Sequence, residues 1–153
     1  MSVSDRLKEL GIHVPAVPAP VAAYVPAVRV GNLVFTSGQL PLVEGKLKYA
    51  GVVGKDLTVE QAYDAARICC LNALAAVRSV AGDLDAVAQV VKLTGWVASA
   101  DGFTDQPKVM NGASELVGEI FGAAGRHARA AVAANTLPLG AAVEVEMTVN
   151  LRG

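Results

Sequence analysis

The stretch Gly125-Arg126-His127-Ala128-Arg129-Ala130-Ala131-Val132, followed by Leu137-Pro138 and then by Val143-Glu144-Val145-Glu146, frames the reading of the whole chain. The first segment sets Arg129 among alanines, and the last alternates valine with glutamate. Strand side chains alternate with period two, so both read as strands, and the turn at Leu137-Pro138 predicts that they pair antiparallel. From Arg129, positions 127, 131 and 133 share a face, occupied by His, Ala and Ala. An arginine among alanines has open space in front of it. Its planar fork binds a carboxylate in a bidentate way, so a small acid anion is the natural guest. The competing assignment on the same spacing is a structural ion pair between Arg129 and Glu144 or Glu146.

Upstream, Ser4 is placed to cap a short helix over Asp5 to Leu10, closed by Gly11. Pro15, Pro18 and Pro20 then enforce an extended connector. Tyr24 to Val30 and Leu33 to Ser37 read as strands joined through the tight turn Gly31-Asn32. Between Leu40 and Asp56 lies a loop bearing three glycines and three lysines, with room for short strands, read first as a solvated surface segment and alternatively as one that folds over a site. Thr58-Val59-Glu60-Gln61 fits a capping box opening a long helix to about Ala81, stopped by Gly82. Valine-rich Val87 to Ser99, with the only tryptophan, reads as a central strand. A second long helix is capped by Thr104 or Asp105 with Pro107 in its first turn, and Val109, Ala113, Leu116, Val117 and Ile120 form its apolar stripe. Strands outnumber helices and include hairpins, which predicts an α+β layer with helices on one face of a mixed sheet.

At 153 residues the chain is long enough for a proper core, yet 53% of it is hydrophobic and only 18% charged. With a mean hydropathy of +0.43, part of that apolar surface is expected in an oligomer interface. A net charge of −1 and aromatic content of 5% argue against nucleic acid as a partner. No apolar run reaches the roughly 18 to 20 residues of a membrane span, and the charged opening Ser2 to Glu9 does not read as a signal peptide, so a cytoplasmic location is expected. Adjacent Cys69 and Cys70 diverge on a helix and read as core residues in a reducing compartment, with catalysis a remote alternative. With two histidines far apart in sequence and these two cysteines, neither a metal nor an organic cofactor is expected.

Other residues suited to chemistry each carry a plain structural alternative. Asn111 lies off the apolar stripe and is free to meet a ligand, or to face solvent. Tyr24, at the start of the first core strand, packs its ring and presents its hydroxyl, which equally suits an ordinary half-buried tyrosine. Ser37 and Gly38 end a strand, where glycine permits either a close ligand or a turn.

Pro20 to Tyr24, Val30-Gly31-Asn32-Leu33-Val34-Phe35-Thr36-Ser37-Gly38-Gln39-Leu40-Pro41, Asn111 in its helix, Ala128-Arg129, Leu137-Pro138 and Val143-Glu144-Val145-Glu146 occur in the order seen in the RidA/YjgF family. That family comprises the enamine/imine deaminases and is also labelled endoribonuclease L-PSP. The chain resembles a less studied branch of it, with residues 1–19 as an N-terminal helix and Pro-rich connector and 20–153 as the family-like domain. The resemblance implies a chorismate-mutase-like α+β fold, a mixed six-stranded sheet with helices on one face, and a homotrimer around a barrel-like core. It implies clefts between subunits lined by Tyr24, Ser37, Gly38, Asn111, Arg129 and Glu144, with Arg129 holding the substrate carboxylate and Glu144 positioning or activating water. Two positions depart from the deaminase group. Ala131 stands where a cysteine is usual, and His127 where an apolar residue or proline is usual; His127 is then either a titratable partner in the pocket or a residue bonded to a neighbouring loop.

The leading expectation is hydrolysis of small 2-enamino or 2-imino acids to 2-keto acids and ammonia. The alternative, motivated by Ala131, is a non-catalytic trimer that binds or senses small carboxylates. A ribonuclease role is set aside because no basic stripe with interleaved aromatics is present.

Overall fold

Valine, methionine and leucine alternate with polar residues along the C-terminal run, and this run forms β7 (Val143–Leu151) at the centre of a five-stranded sheet. Every second residue from Val143 to Leu151 is buried, so one face of the strand is committed to the core. The computed structural model describes residues 1–18 and 23–153. In it, β1 (Ala27–Val30), β2 (Leu33–Thr36), β5 (Val87–Ala98) and β6 (Ala128–Ala134) complete the sheet in the order β1-β2-β7-β5-β6. The short ribbon β3 (Leu42–Val43) and β4 (Lys46–Leu47) stands apart from it.

Two expectations about the strands are corrected. β6 and β7 do not pair: β5 lies between them, parallel to β6 and antiparallel to β7. The reason lies in composition. β5 is long and rich in β-branched residues and gains by pairing on both sides, whereas an alanine strand has little side chain to bury and tolerates an edge. The sheet also has five strands among the described residues, not six. The residues between Leu40 and Asp56 contribute only the β3–β4 ribbon and isolated bridges such as Ala50 to Ala141.

The hairpin at Gly31-Asn32 forms as expected, and only Gly31 (φ 60) takes a positive φ there, as a turn with glycine in its first central position requires. β1 begins at Ala27, so exposed Tyr24 precedes the strand instead of opening it; Pro20 lies outside the described residues. The first helix, α1 (Val3–Leu10), is capped by Ser2 and not by Ser4. Ser4 and the Val3 N–H instead both donate to Asp85, which ties the helix to the start of β5.

α2 (Val59–Ala81) carries the expected capping box at Thr58 and Gln61 and ends at Gly82. α3 (Gln106–Phe121) carries Pro107 in its first turn, and its whole predicted stripe is buried. Both helices pack on one face of the sheet. The thiols of Cys69 and Cys70 diverge, towards the carbonyls of Val143 and Ala113, and burial pushes Cys70 up to about 12. Among the described residues no helix is long and apolar enough to cross a membrane.

Two glycines set the seat of α3. A Cβ on Gly95 would lie 2.0 Å from Met110 Sδ, and one on Gly112 would lie 2.0 Å from the Tyr63 carbonyl oxygen. α3 is thus pressed against β5 at Met110 and against the backbone of α2 at Gly112. Gly112→Ala is expected to lower stability by about 1 to 3 kcal/mol, the usual scale of overpacking, because a backbone carbonyl cannot swing aside as a side chain can. Denaturant unfolding checks this, and unchanged stability would mean that the helices separate freely.

The sheet face away from the helices is open. Val28, Val30, Leu33, Phe35 and Val132 on it are 37–62% exposed. Pairing of Phe35 with Thr148, and of Trp96 with both Glu144 and Val132, puts Glu144, Glu146 and Thr148 on this same face.

Candidate functional site

Arg129 pairs with buried Leu93 in the parallel β5–β6 ladder, so its side chain leaves the sheet on the helix side. β6 is the edge strand, and the arginine sits beside α3 while remaining exposed. Its Nη1 donates to Asn111 Oδ1 at 2.9 Å and to Ser114 Oγ at 3.1 Å. Residues three apart on a helix share a face, so Asn111 and Ser114 form one polar edge of α3 flanking the buried stripe. Asn111 therefore meets the arginine and is not simply turned to solvent.

Ser114 Oγ is also 2.9 Å from His127 Nε2, and His127 Nδ1 is 2.7 Å from the Gly125 carbonyl oxygen. A carbonyl only accepts, so Nδ1 carries a proton. In the neutral imidazole Nε2 then accepts from the Ser114 hydroxyl, whose oxygen in turn accepts from Arg129. His127 thus bonds a neighbouring backbone carbonyl, one of the two parts considered for it, and touches the arginine cluster through Ser114. Among the described residues neither Nε nor Nη2 of Arg129 has a hydrogen-bond partner, which leaves one two-donor edge of the fork open. Ala131, on the same face and paired with Gly95, adds no bulk beside it.

A second cluster forms where β2 ends. Phe35 pairs with Thr148, yet Gln39 pairs with Val145, so the β2 side carries one extra residue. Such a bulge bends the chain and re-aims its residues. The Ser37 hydroxyl turns to the Val25 carbonyl at 2.6 Å, and Gly38 comes against Glu144. A Cβ on Gly38 would lie 2.6 Å from Glu144 Oε1. Burial, and then repulsion from Glu146, raise the Glu144 carboxyl above its ordinary value. Gly38→Ala should displace the end of this flexible carboxylate at little cost in stability while lowering any activity that depends on its position. Equal activity with an unshifted thermal midpoint would show that the contact is idle.

The two clusters point to opposite faces of the sheet. Arg129 shares its register with core residues, whereas Glu144 shares its own with Trp96 on the open face. Arg129 bonds Asn111 and Ser114, and the competing assignment, an ion pair to Glu144 or Glu146, does not form within the chain. Tyr24 is exposed ahead of β1, on the Val25 side of the Ser37 contact. Ser114 was not singled out from the sequence; its position three residues after Asn111 was the available signal. Asn72 was also missed. Buried on α2, it donates at 3.0 Å to the carbonyls of both Leu40 and Leu42 and holds the segment that follows Gly38.

Comparison with known proteins gives a consistent set. A family model described as "YjgF/chorismate mutase-like, putative endoribonuclease" matches residues 4–151. Protein TCP17 of Trypanosoma cruzi is 45% identical over 150 residues, covering 97% of this chain and 94% of that protein. A crystal structure of a protein of unknown function from Agrobacterium tumefaciens is 44% identical, with a TM-score of 0.90 over 98% of this chain and 92% of that one. One from Shewanella oneidensis, described as a "putative endoribonuclease", is 36% identical, with a TM-score of 0.95 over 99% of this chain and 100% of the other.

Proposed function

The chain belongs to the YjgF family, and from that premise we propose that it hydrolyses small 2-enamino and 2-imino acids to 2-keto acids and ammonia, in clefts shared between the subunits of a homotrimer. The observation that carries this reading is the Arg129 fork, held by Asn111 and Ser114 through one nitrogen and open along the edge formed by the other two. That edge fits one planar carboxylate.

The second half of the chemistry needs an oriented water. An imine reacts with water unaided, so holding the two together supplies much of the rate. A carboxylate whose proton affinity is raised is the better general base, and Glu144 against the Gly38 backbone is such a group. Within one chain it faces away from Arg129, so a complete site takes Glu144 from one subunit and Arg129 from its neighbour. The exposed apolar residues of the open face favour the assembly this requires. Sedimentation is expected to give a trimer at micromolar concentration, and a stable monomer would remove the shared site.

The activity is tested by coupling an amino-acid oxidase or dehydratase, which releases the imine, to keto-acid appearance. Acceleration over the buffer rate, lost in Arg129→Ala, is the expected result. Tight keto-acid binding without acceleration would replace it with the carboxylate-binding reading that Ala131 favours. Cleavage of RNA by pure protein, lost in Glu144→Ala, would instead support the ribonuclease label borne by relatives.

A further inference from the structure

The hydroxyl of Ser114 stands between two nitrogens, 3.1 Å from Arg129 Nη1 and 2.9 Å from His127 Nε2. We propose that Ser114 and His127 are positioning residues that fix the rotation of the Arg129 guanidinium and so commit the site to ligands with a single planar carboxylate. The proposal rests on the carboxylate role given to Arg129 above and adds what sets its direction.

An exposed arginine on an edge strand ordinarily samples many rotamers, and its fork gains from a ligand only after that freedom is lost. Here both N–H groups of Nη1 are taken, one by Asn111 Oδ1 and one by Ser114 Oγ. Two acceptors on one nitrogen fix the plane of the guanidinium as well as its place. The edge left open is the one formed by Nε and Nη2, whose parallel N–H bonds match the two oxygens of a carboxylate.

Ser114 serves as an acceptor only if its own hydrogen is directed elsewhere. His127 does this: with Nδ1–H given to the Gly125 carbonyl, Nε2 accepts the Ser114 hydroxyl and turns its lone pairs to the arginine. Gly125 is buried, and a Cβ there would lie 2.4 Å from the Val117 carbonyl oxygen, so the carbonyl that orients His127 is seated against α3 itself. Gly125 packs against α3, and the bonds that run from its carbonyl through His127, Ser114 and Arg129 to Asn111 close back on α3. With Nη1 occupied, one cationic edge remains, which suits a monocarboxylate; a phosphate ester would leave its further charge and oxygens without donors from this cluster.

The first readout needs no ligand. Nitrogen-15 NMR of the Arg129 side chain should show slow rotation of the guanidinium in the native protein and fast rotation in Ser114→Ala, with Ser114→Thr restoring the slow regime. The second is calorimetry with pyruvate and with pyruvamide, which lacks the carboxylate. Ser114→Ala should weaken pyruvate about tenfold, the scale of a hydrogen bond to a charged group, and leave pyruvamide unchanged. His127→Phe should weaken pyruvate in the native background and add nothing in the Ser114→Ala background, because it acts through the hydroxyl. Equal loss of both ligands, or guanidinium rotation indifferent to Ser114, would overturn the proposal. Slow rotation lost in Ser114→Ala, in a protein that binds neither ligand, would retain the positioning role and strike down the carboxylate function.

Discussion

Glu144→Gln is expected to bind 2-keto acids nearly as the native protein does, while imine hydrolysis falls about 10²-fold or more, the usual scale of general-base assistance. The substitution keeps shape and hydrogen-bonding capacity and removes charge and basicity. Thermal stability should not fall, and the sign follows from the environment of the carboxyl. Burial and Glu146 raise its value in the folded protein. A raised acid binds its proton more tightly when folded, so the stability it contributes is present below the unfolded value and is lost as pH rises through the folded one. At neutral pH the ionised group is a burden on the fold, which glutamine removes. Had Glu144 served as the partner of Arg129, the same substitution would lower stability and binding together. Glu146→Gln supplies the matching pH test: with that repulsion removed, the acid limb of the activity profile should move to lower pH, and an unmoved limb would assign it to another group.

Arg129→Lys is the second large effect. A lysine keeps the charge but presents no fork, and it cannot satisfy Asn111 and Ser114 while also gripping both oxygens of a carboxylate. Loss of a charged hydrogen-bonded pair costs about 2 to 5 kcal/mol when the partner group is left buried. Keto-acid affinity measured by calorimetry should fall accordingly, and unchanged affinity in a folded lysine variant would remove the anchor from Arg129.

Local patterning was legible in the sequence wherever one interaction decides the outcome. The capping box at Thr58, the glycine turn at Gly31 and the apolar stripe of α3 all form as read, since each depends on neighbours a few residues away. Strand order was not legible. Whether β6 joins β7 or stays outside β5 depends on non-local burial, and alternation along a strand names its faces without naming its neighbours. The same limit hid the divergence of Arg129 and Glu144. Each was correctly read as facing one side of its own strand, but the register relating the two strands runs through β5. Ser114 went unread because its role exists only once α3 lies along β6, and the seat of α3 is set by close approaches at Gly95 and Gly112. Bulge formation after Thr36, which brings Gly38 to Glu144, likewise leaves no mark in a single sequence.

The shared site is tested most directly by mixing two variants, Arg129→Ala and Glu144→Gln, each inactive alone and each able to fold and assemble. If every site takes its arginine from one subunit and its carboxylate from the next, subunit exchange creates sites in which both native residues meet. Random exchange of equal amounts should then restore about a quarter of the native imine-hydrolysing activity, as closed symmetric assembly with two-subunit sites requires. Exchange verified by mass spectrometry with no recovered activity would contradict a site divided between Arg129 of one subunit and Glu144 of its neighbour.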